Sequence, residues 1–461
     1  MSGKRRTNWR RTLGVVTPLT FICGIVAVVY FFYRAALIAV PAVSFEQHLF
    51  HPVGSPSIVC GGEEGSNLKD PEPFVSAKYQ SYIQSQTATT NLVVNPSLTS
   101  LDPVSGLPTG YSQNTDNATS KFEYLQDATD KQLFLRASND ATDKNTQAPS
   151  WLTDPVRIED DHTYAYSFSY RSNIPVRIDV EQIKSNKPAY RHIMTLKPTA
   201  TWQSFTAHLN NADDAEAFRV VLAGTGRGYV DSRNFDIHQI PDAHLSTGTV
   251  TVAFDDGWES VEKNALPLLE KYNIRTTQYI ISDVSRQNVQ EYMNIETVAK
   301  LKRAGHEIGS HSLTHCNQTE LTESQLADNA VRSKMILEQS NLGPIRSFAY
   351  PLGQYNEKTQ AVYGQQYPLI RTSDFGYNDR YFDDSNIHSI GVLSSTSDRE
   401  FRSWLDHAKT HRLWLVLVYH RINESGTYNV TDEQLERQLK MITTSGLKTL
   451  PLAEAADDVR R

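Results

Sequence analysis

Cysteine is scarce in this chain, with three among 461 residues. Cys23 lies in an apolar run, so only Cys60 and Cys316 remain to pair, and a disulfide-built scaffold is excluded. Charge is modest too: charged residues make up 21% and hydrophobic residues 39%, a balance that excludes both a fully disordered chain and a multi-span membrane protein. Basic charge is short outside the N-terminus. The net charge is −7, yet residues 1–34 hold six basic and no acidic side chains, which leaves −13 on the rest. An acidic body of that size argues against nucleic acid as a partner.

What is present begins with 21 uncharged residues from Leu13 to Tyr33. At 1.5 Å per residue they span the roughly 30 Å of a bilayer core. Five basic residues precede the run, so the positive-inside rule keeps residues 1–12 cytoplasmic and sends the remainder across. The expectation is a signal-anchor at 13–33, single-pass, with the body outside the cytoplasm. The alternative is a secreted protein, cleaved near Val40-Pro41-Ala42. Residues 34–88 lack sustained periodicity and are dotted with Pro, Gly and Ser, which reads as a linker or stalk.

Residues 89–242 read as all-β. Tyr164, Tyr166, Phe168 and Tyr170 alternate with period two, as do Val176, Ile178 and Val180, and turn-forming residues separate the runs. An antiparallel sandwich follows. From residue 243 to 461 apolar strands alternate with amphipathic stretches: TVTVAF (249–254), TTQYII (276–281), HEIGS (306–310), IRSFAY (345–350), LIRTS (369–373), IHSIGV (387–392), LWLVLVY (413–419) and KTLPL (448–452). Thr322-Glu-Ser-Gln325 opens one helix with a capping-box pattern. Such alternation predicts a parallel sheet closed into a barrel.

Barrels carry their chemistry at the C-terminal ends of their strands. Asp255 and Asp256 follow the first strand, His311 and His315 the third, the Tyr350–Gly353 turn the fourth, Asp374 the fifth, and His420 ends the seventh. Asp256, His311 and His315 make a two-histidine, one-carboxylate set, which leaves open positions as catalytic zinc-type sites do. Asp255 is placed to take a proton from water, and His420 is the right type to give one to a leaving atom. Cys316, beside His315, is read as a bystander rather than a fourth ligand. His306, His388, His407 and His411 lack motif context and read as structural or exposed.

Ala253–Gly257, His311-Ser-Leu-Thr-His315, Phe348-Ala-Tyr-Pro351-Leu-Gly353 and Leu415–His420 together resemble the ordered motifs of NodB-homology polysaccharide deacetylases, carbohydrate esterase family 4. The resemblance covers about residues 249–455. It implies a distorted (β/α) barrel that removes acetyl groups from N-acetylated glycans, with Asp255 as catalytic base and His420 as general acid. It also implies Asp256, His311 and His315 as ligands of a divalent metal, zinc first and cobalt or nickel as alternatives. The Leu352 N–H would hold the oxyanion, with Tyr350 and Asp374 on the substrate side. One departure stands out: the family commonly places an Arg that braces the catalytic carboxylates where this chain has Ala349. The FAYPxG form is similar to the subgroup acting on poly-β-1,6-N-acetylglucosamine. Arg371 is a candidate replacement cation. Asn91–Leu98, Pro108–Tyr111, Trp202 and Gly226–Asp231 resemble jelly-roll carbohydrate-binding modules. The expected partners are an N-acetylated polysaccharide, exopolysaccharide or peptidoglycan, and the membrane. O-acetyl xylan esterase and an inactive glycan-binding surface protein are the competing functions.

Overall fold

The computed structural model describes residues 71–461 except 87–89, 115–118, 141–148 and 212–214. The tail at 1–12, the expected anchor at 13–33 and all of the linker before residue 71 lie outside the described residues. Among the described residues no helix is long and apolar enough to cross a membrane. Within the stretch read as linker, the structure forms a short helix, Ala77–Gln84, capped by the Ser76 side chain, which accepts from the Tyr79 N–H at 3.1 Å. Its one buried side chain, Ile83, is too weak a stripe to betray a helix in sequence.

The sandwich is built from period-two strands, as their alternation dictates. Its strands are β1 (Tyr111–Asn114), β2 (Ser120–Gln126), β3 (Leu133–Asn139), β4 (Ser150–Thr153), β5 (Val156–Arg157), β6 (Thr163–Ser172), β7 (Val176–Lys184), β8 (Lys187–Leu196), β9 (Thr199–Asn210), β10 (Ala217–Gly224) and β11 (Gly228–Ile240). Among the described residues two main antiparallel sheets result, ordered β2-β3-β11-β6-β9 and β5-β10-β7-β8, with β1 and β4 forming a separate antiparallel pair. Tyr164, Tyr166, Phe168 and Tyr170 are all buried, packed with Val176, Ile178 and Phe205 in one core. These aromatics are therefore core, not surface. Trp202 is engaged as well: the Arg171 and Arg233 guanidiniums lie 4.6 and 3.9 Å from its ring, and its N–H donates to Asp127 at 3.0 Å.

The second half is a parallel sheet of β12 (Thr249–Phe254), β13 (Thr277–Ile280), β14 (Glu307–Ser310), β15 (Ser347–Ala349), β16 (Leu369–Arg371), β17 (Ile390–Gly391) and β18 (Trp414–Tyr419). Its order is β16-β15-β14-β13-β12-β18-β17. Central β12 and β18 are buried along their whole length, as continuous apolar runs in a covered parallel sheet must be. A bridge from Arg371 to Ile387 links the β16 edge to the segment leading into β17. Helices cover the outside: Glu323–Gln339 begins with the Thr322–Gln325 capping box, and Asp398–Thr410 buries Phe401, Trp404, Leu405 and Ala408. The ladders at 387–392 and 448–452 are shorter than the apolar runs there suggest, reduced to Ile390–Gly391 and Lys448–Thr449.

Candidate active site

The strand ends deliver five side chains to one place. Phe254 pairs with Tyr419, and the Asp255 N–H donates to the Tyr419 carbonyl at 2.9 Å, so Asp255 and His420 leave neighbouring strands side by side. Their closest approach is 3.9 Å, from His420 Nε2 to Asp255 Oδ2. At Asp256 the backbone turns left-handed, with φ of 72°, and Gly257 follows at 78°. That reversal lets two consecutive acids reach one rim although strand neighbours otherwise face apart. Ser312 and His315 are left-handed too, at 70° and 63°, which curls the His311–His315 loop inward.

His311 Nε2 and His315 Nε2 lie 3.2 and 3.1 Å from the same atom, Asp256 Oδ1. The three candidate ligand atoms fall within 4.8 Å of one another. His311 Nδ1 sits 2.9 Å from the Ala349 carbonyl. A carbonyl only accepts, so the proton is on Nδ1 and Nε2 is left with its lone pair, the tautomer a metal requires. Asp256 Oδ1 is buried with no hydrogen-bond donor of its own, whereas Oδ2 accepts from Trp258 Nε1 at 2.8 Å. Burial alone would raise the Asp256 carboxyl, but whenever His315 and His311 are protonated at Nε2 they, with His420 beyond, hold it well below the usual carboxylate range. An ionised carboxylate oxygen and two imidazole nitrogens converging in a buried recess fit a divalent metal of the zinc type.

Trp258 is a residue that motif reading passes over. It stacks on Tyr292 at 4.2 Å, and the Arg421 guanidinium lies 3.5 Å from its ring centre. Held so, its N–H occupies one Asp256 oxygen and leaves the other for the ligand set. The two-residue spacing from Asp256 was the available signal.

Asp255 is 4% exposed. Its Oδ2 accepts from Arg371 at 2.5 Å, while Oδ1 has no partner. Arg371 pairs with Ala349 in adjacent strands, in register. Paired residues on parallel strands point to the same face, so a guanidinium on β16 reaches across the small Ala349 to brace the acid. A buried carboxylate without a cation would be costly, and Arg371 removes that cost.

The remaining expected residues lie on the segments that follow β15 and β16. Leu352 has left-handed backbone, φ 58°, and among the described residues its N–H makes no backbone hydrogen bond. The Tyr350 ring is 2% exposed, stacked on Tyr355 and against Phe348 in the core. Asp374 accepts from the Tyr355 hydroxyl at 2.5 Å. Burial and that carboxylate push the Tyr355 hydroxyl far up, so it stays a donor. Cys316 is disulfide-bonded, with its partner outside the described residues, and so is no fourth ligand.

Residues 242–367 match the family model described as polysaccharide deacetylase. The chain is 23% identical over 228 residues to YxkH of Bacillus subtilis (strain 168), named as a polysaccharide deacetylase, across 49% of this chain and 80% of that protein. It is 34% identical over 77 residues to a bifunctional xylanase/deacetylase of Pseudobutyrivibrio xylanivorans, across 17% of this chain and 12% of that one. Among solved structures, the peptidoglycan deacetylase PdaC of Bacillus subtilis overlaps 46% of this chain and 92% of its own, at 15% identity and a TM-score of 0.33. The family match ends before Arg371 and His420.

Proposed function

We propose, from the premise that this chain carries a polysaccharide deacetylase domain, that it hydrolyses N-acetyl groups on an extracytoplasmic N-acetylglucosamine polymer, exopolysaccharide ahead of peptidoglycan. The observation that supports it is the convergence of Asp256, His311 and His315 beside an acid braced by Arg371. Asp256, His311 and His315 would hold a divalent metal, zinc by donor type, which when bound polarises the acetyl carbonyl and acidifies water.

The chain's own groups account for the proton transfers. Asp255 Oδ1, free while Arg371 occupies Oδ2, takes the proton of the attacking water as its oxygen bonds to the carbonyl carbon. The Leu352 N–H, at a left-handed position inside the short 3-10 turn Pro351–Gly353, donates to the developing oxyanion. His420 gives a proton to the nitrogen as the carbon–nitrogen bond breaks, releasing acetate and a free amine. Asp374 and the 350–353 turn border the path of the sugar chain. The relocated brace answers the reading of an inactive glycan-binding protein that Ala349 invites, and the FAYPxG turn supports the poly-β-1,6-N-acetylglucosamine subgroup.

The body works outside the cytoplasm, tethered by residues 13–33. Its sandwich is the carbohydrate-binding-module-like part. Acetate release from N-acetylated glycans, abolished by chelation and by Asp255→Asn, tests the reading. Release from O-acetylated xylan alone would replace it with an esterase, and activity indifferent to chelator would end it.

A further inference from the structure

A cavity of about 900 Å³ lies where the open edge of the sandwich, at β8 and β9, faces the barrel segment 373–388. That volume is typical of ligand sites. Its barrel end borders the turn that carries Leu352 and Gly353. Ser373, at its mouth, rests on the Leu352-Gly353 turn: its hydroxyl donates to the Gly353 carbonyl at 3.4 Å, and a Cβ on Gly353 would come within 2.4 Å of that hydroxyl. Next to it Asp374 is held by Tyr355, and Phe375 stands 69% exposed, a large apolar ring that burial in a core does not explain. Trp404 lines the barrel side. The sandwich side supplies Arg191 and two polar atoms without partners: the Asn210 Oδ1 and the hydroxyl of Tyr166, a residue only 1% exposed. A buried hydroxyl left unpaired costs free energy unless something polar enters to meet it.

The chemistry of this lining selects its occupant. The wall's Asp379 is already taken by His208 at 2.8 Å and Asn210 at 3.2 Å, and Asp383 is taken by Ser76. What remains is rings, hydroxyl and amide groups, the Asp374 carboxylate, the Arg191 guanidinium and the imidazoles of His388 and His407: flat faces edged by hydrogen-bonding groups of both kinds. That suits neither a polyanion nor an apolar ligand. It suits the alternating faces and hydroxyls of a neutral sugar chain.

We propose that this crevice extends the substrate site, taking several sugar units of the acetylated polymer as they run off the barrel rim, so that the sandwich serves the reaction through its β8–β9 edge. The inference rests on the deacetylase reading above and adds where the chain lies and what length it must have. Phe375 is the platform nearest the rim, and Arg191 is the sandwich's contact.

The test compares acetate release from N-acetylglucosamine oligomers of two and six residues with hydrolysis of a small aryl acetate that fills only the metal recess. Wild type should favour the hexamer in kcat/KM. Phe375→Ala and Arg191→Ala, both exposed and outside the catalytic cluster, should each lower kcat/KM on the hexamer roughly tenfold, through KM, and leave the dimer and the aryl acetate unchanged. Equal turnover of dimer and hexamer by wild type, or variants that lose nothing on the hexamer or lose equally on all three substrates, overturns the crevice while deacetylation stands. If wild type cleaves the aryl acetate but neither oligomer, the deacetylase reading itself fails and takes this inference with it.

Discussion

Trp258 fixes a choice between two oxygens of one carboxylate, and that choice is measurable. Its N–H binds Asp256 Oδ2 and leaves Oδ1 facing both imidazoles. Trp258→Phe keeps the stack on Tyr292 and removes only the donor. Metal affinity should fall about 10- to 100-fold in competition with a fluorescent chelator, and an unchanged affinity would refute the role. Arg371→Met should lower kcat roughly 100-fold with little change in KM, and Arg371→Lys, which keeps the charge, should restore part of it. A methionine variant as active as wild type would show that Asp255 needs no brace. The acids and histidines were legible in the sequence because each lies at or just after the end of a strand. Tyr350 read as a rim residue from its motif, yet its ring faces inward, since neighbours at a strand's end need not share a side. Arg371 read as a candidate replacement cation, but its reach to Asp255 could not be read along the chain, because it depends on register with a strand some twenty residues earlier.

The apolar run of β12 matches its strand to the residue, and β18 begins one residue later than its run, at Trp414 rather than Leu413. Shorter elements were less legible: the ladder at β17 is set by which backbone groups find partners, and the helix Ala77–Gln84 draws its stability from packing rather than from its own pattern. At the start of β14, His306 gives the barrel a pH dependence. Its Nδ1 accepts from the Thr276 N–H at 3.1 Å and from the Thr276 hydroxyl at 2.7 Å, so it is neutral. Burial, helped by Arg275, brings it down to about 4. Because the folded value is depressed, the unfolded chain binds the extra proton first, and stability is lost as pH falls from about 6.5 towards 4. Between pH 7 and pH 5 the loss should be about 2 kcal/mol, read by urea unfolding. His306→Gln should flatten that slope, and a slope that persists in the variant would place its origin elsewhere.

Sandwich and barrel meet through a strap and a buried cluster. Ile83 on the strap, Ala165 and Ile240 on the sandwich and Tyr381 on the barrel share one apolar cluster. Ser76 donates to Asp383 through its N–H at 2.7 Å and its hydroxyl at 2.8 Å, while Asp384 gathers Lys78 and Arg460. Ser76→Ala removes the cap and one arm of that grip, and should cost about 1–2 kcal/mol, or some 2–4 °C in Tm. No shift on calorimetry would make the strap incidental. None of this was readable from sequence, since the partners lie about 300 positions apart. The clasp also decides how the body responds to traction. A pull on residue 71 loads the Glu72–His192 pair on β8 first and the Ser76–Asp383 grip on the barrel wall next, so in single-molecule stretching these two joints should rupture first, with the β-layers still intact behind them.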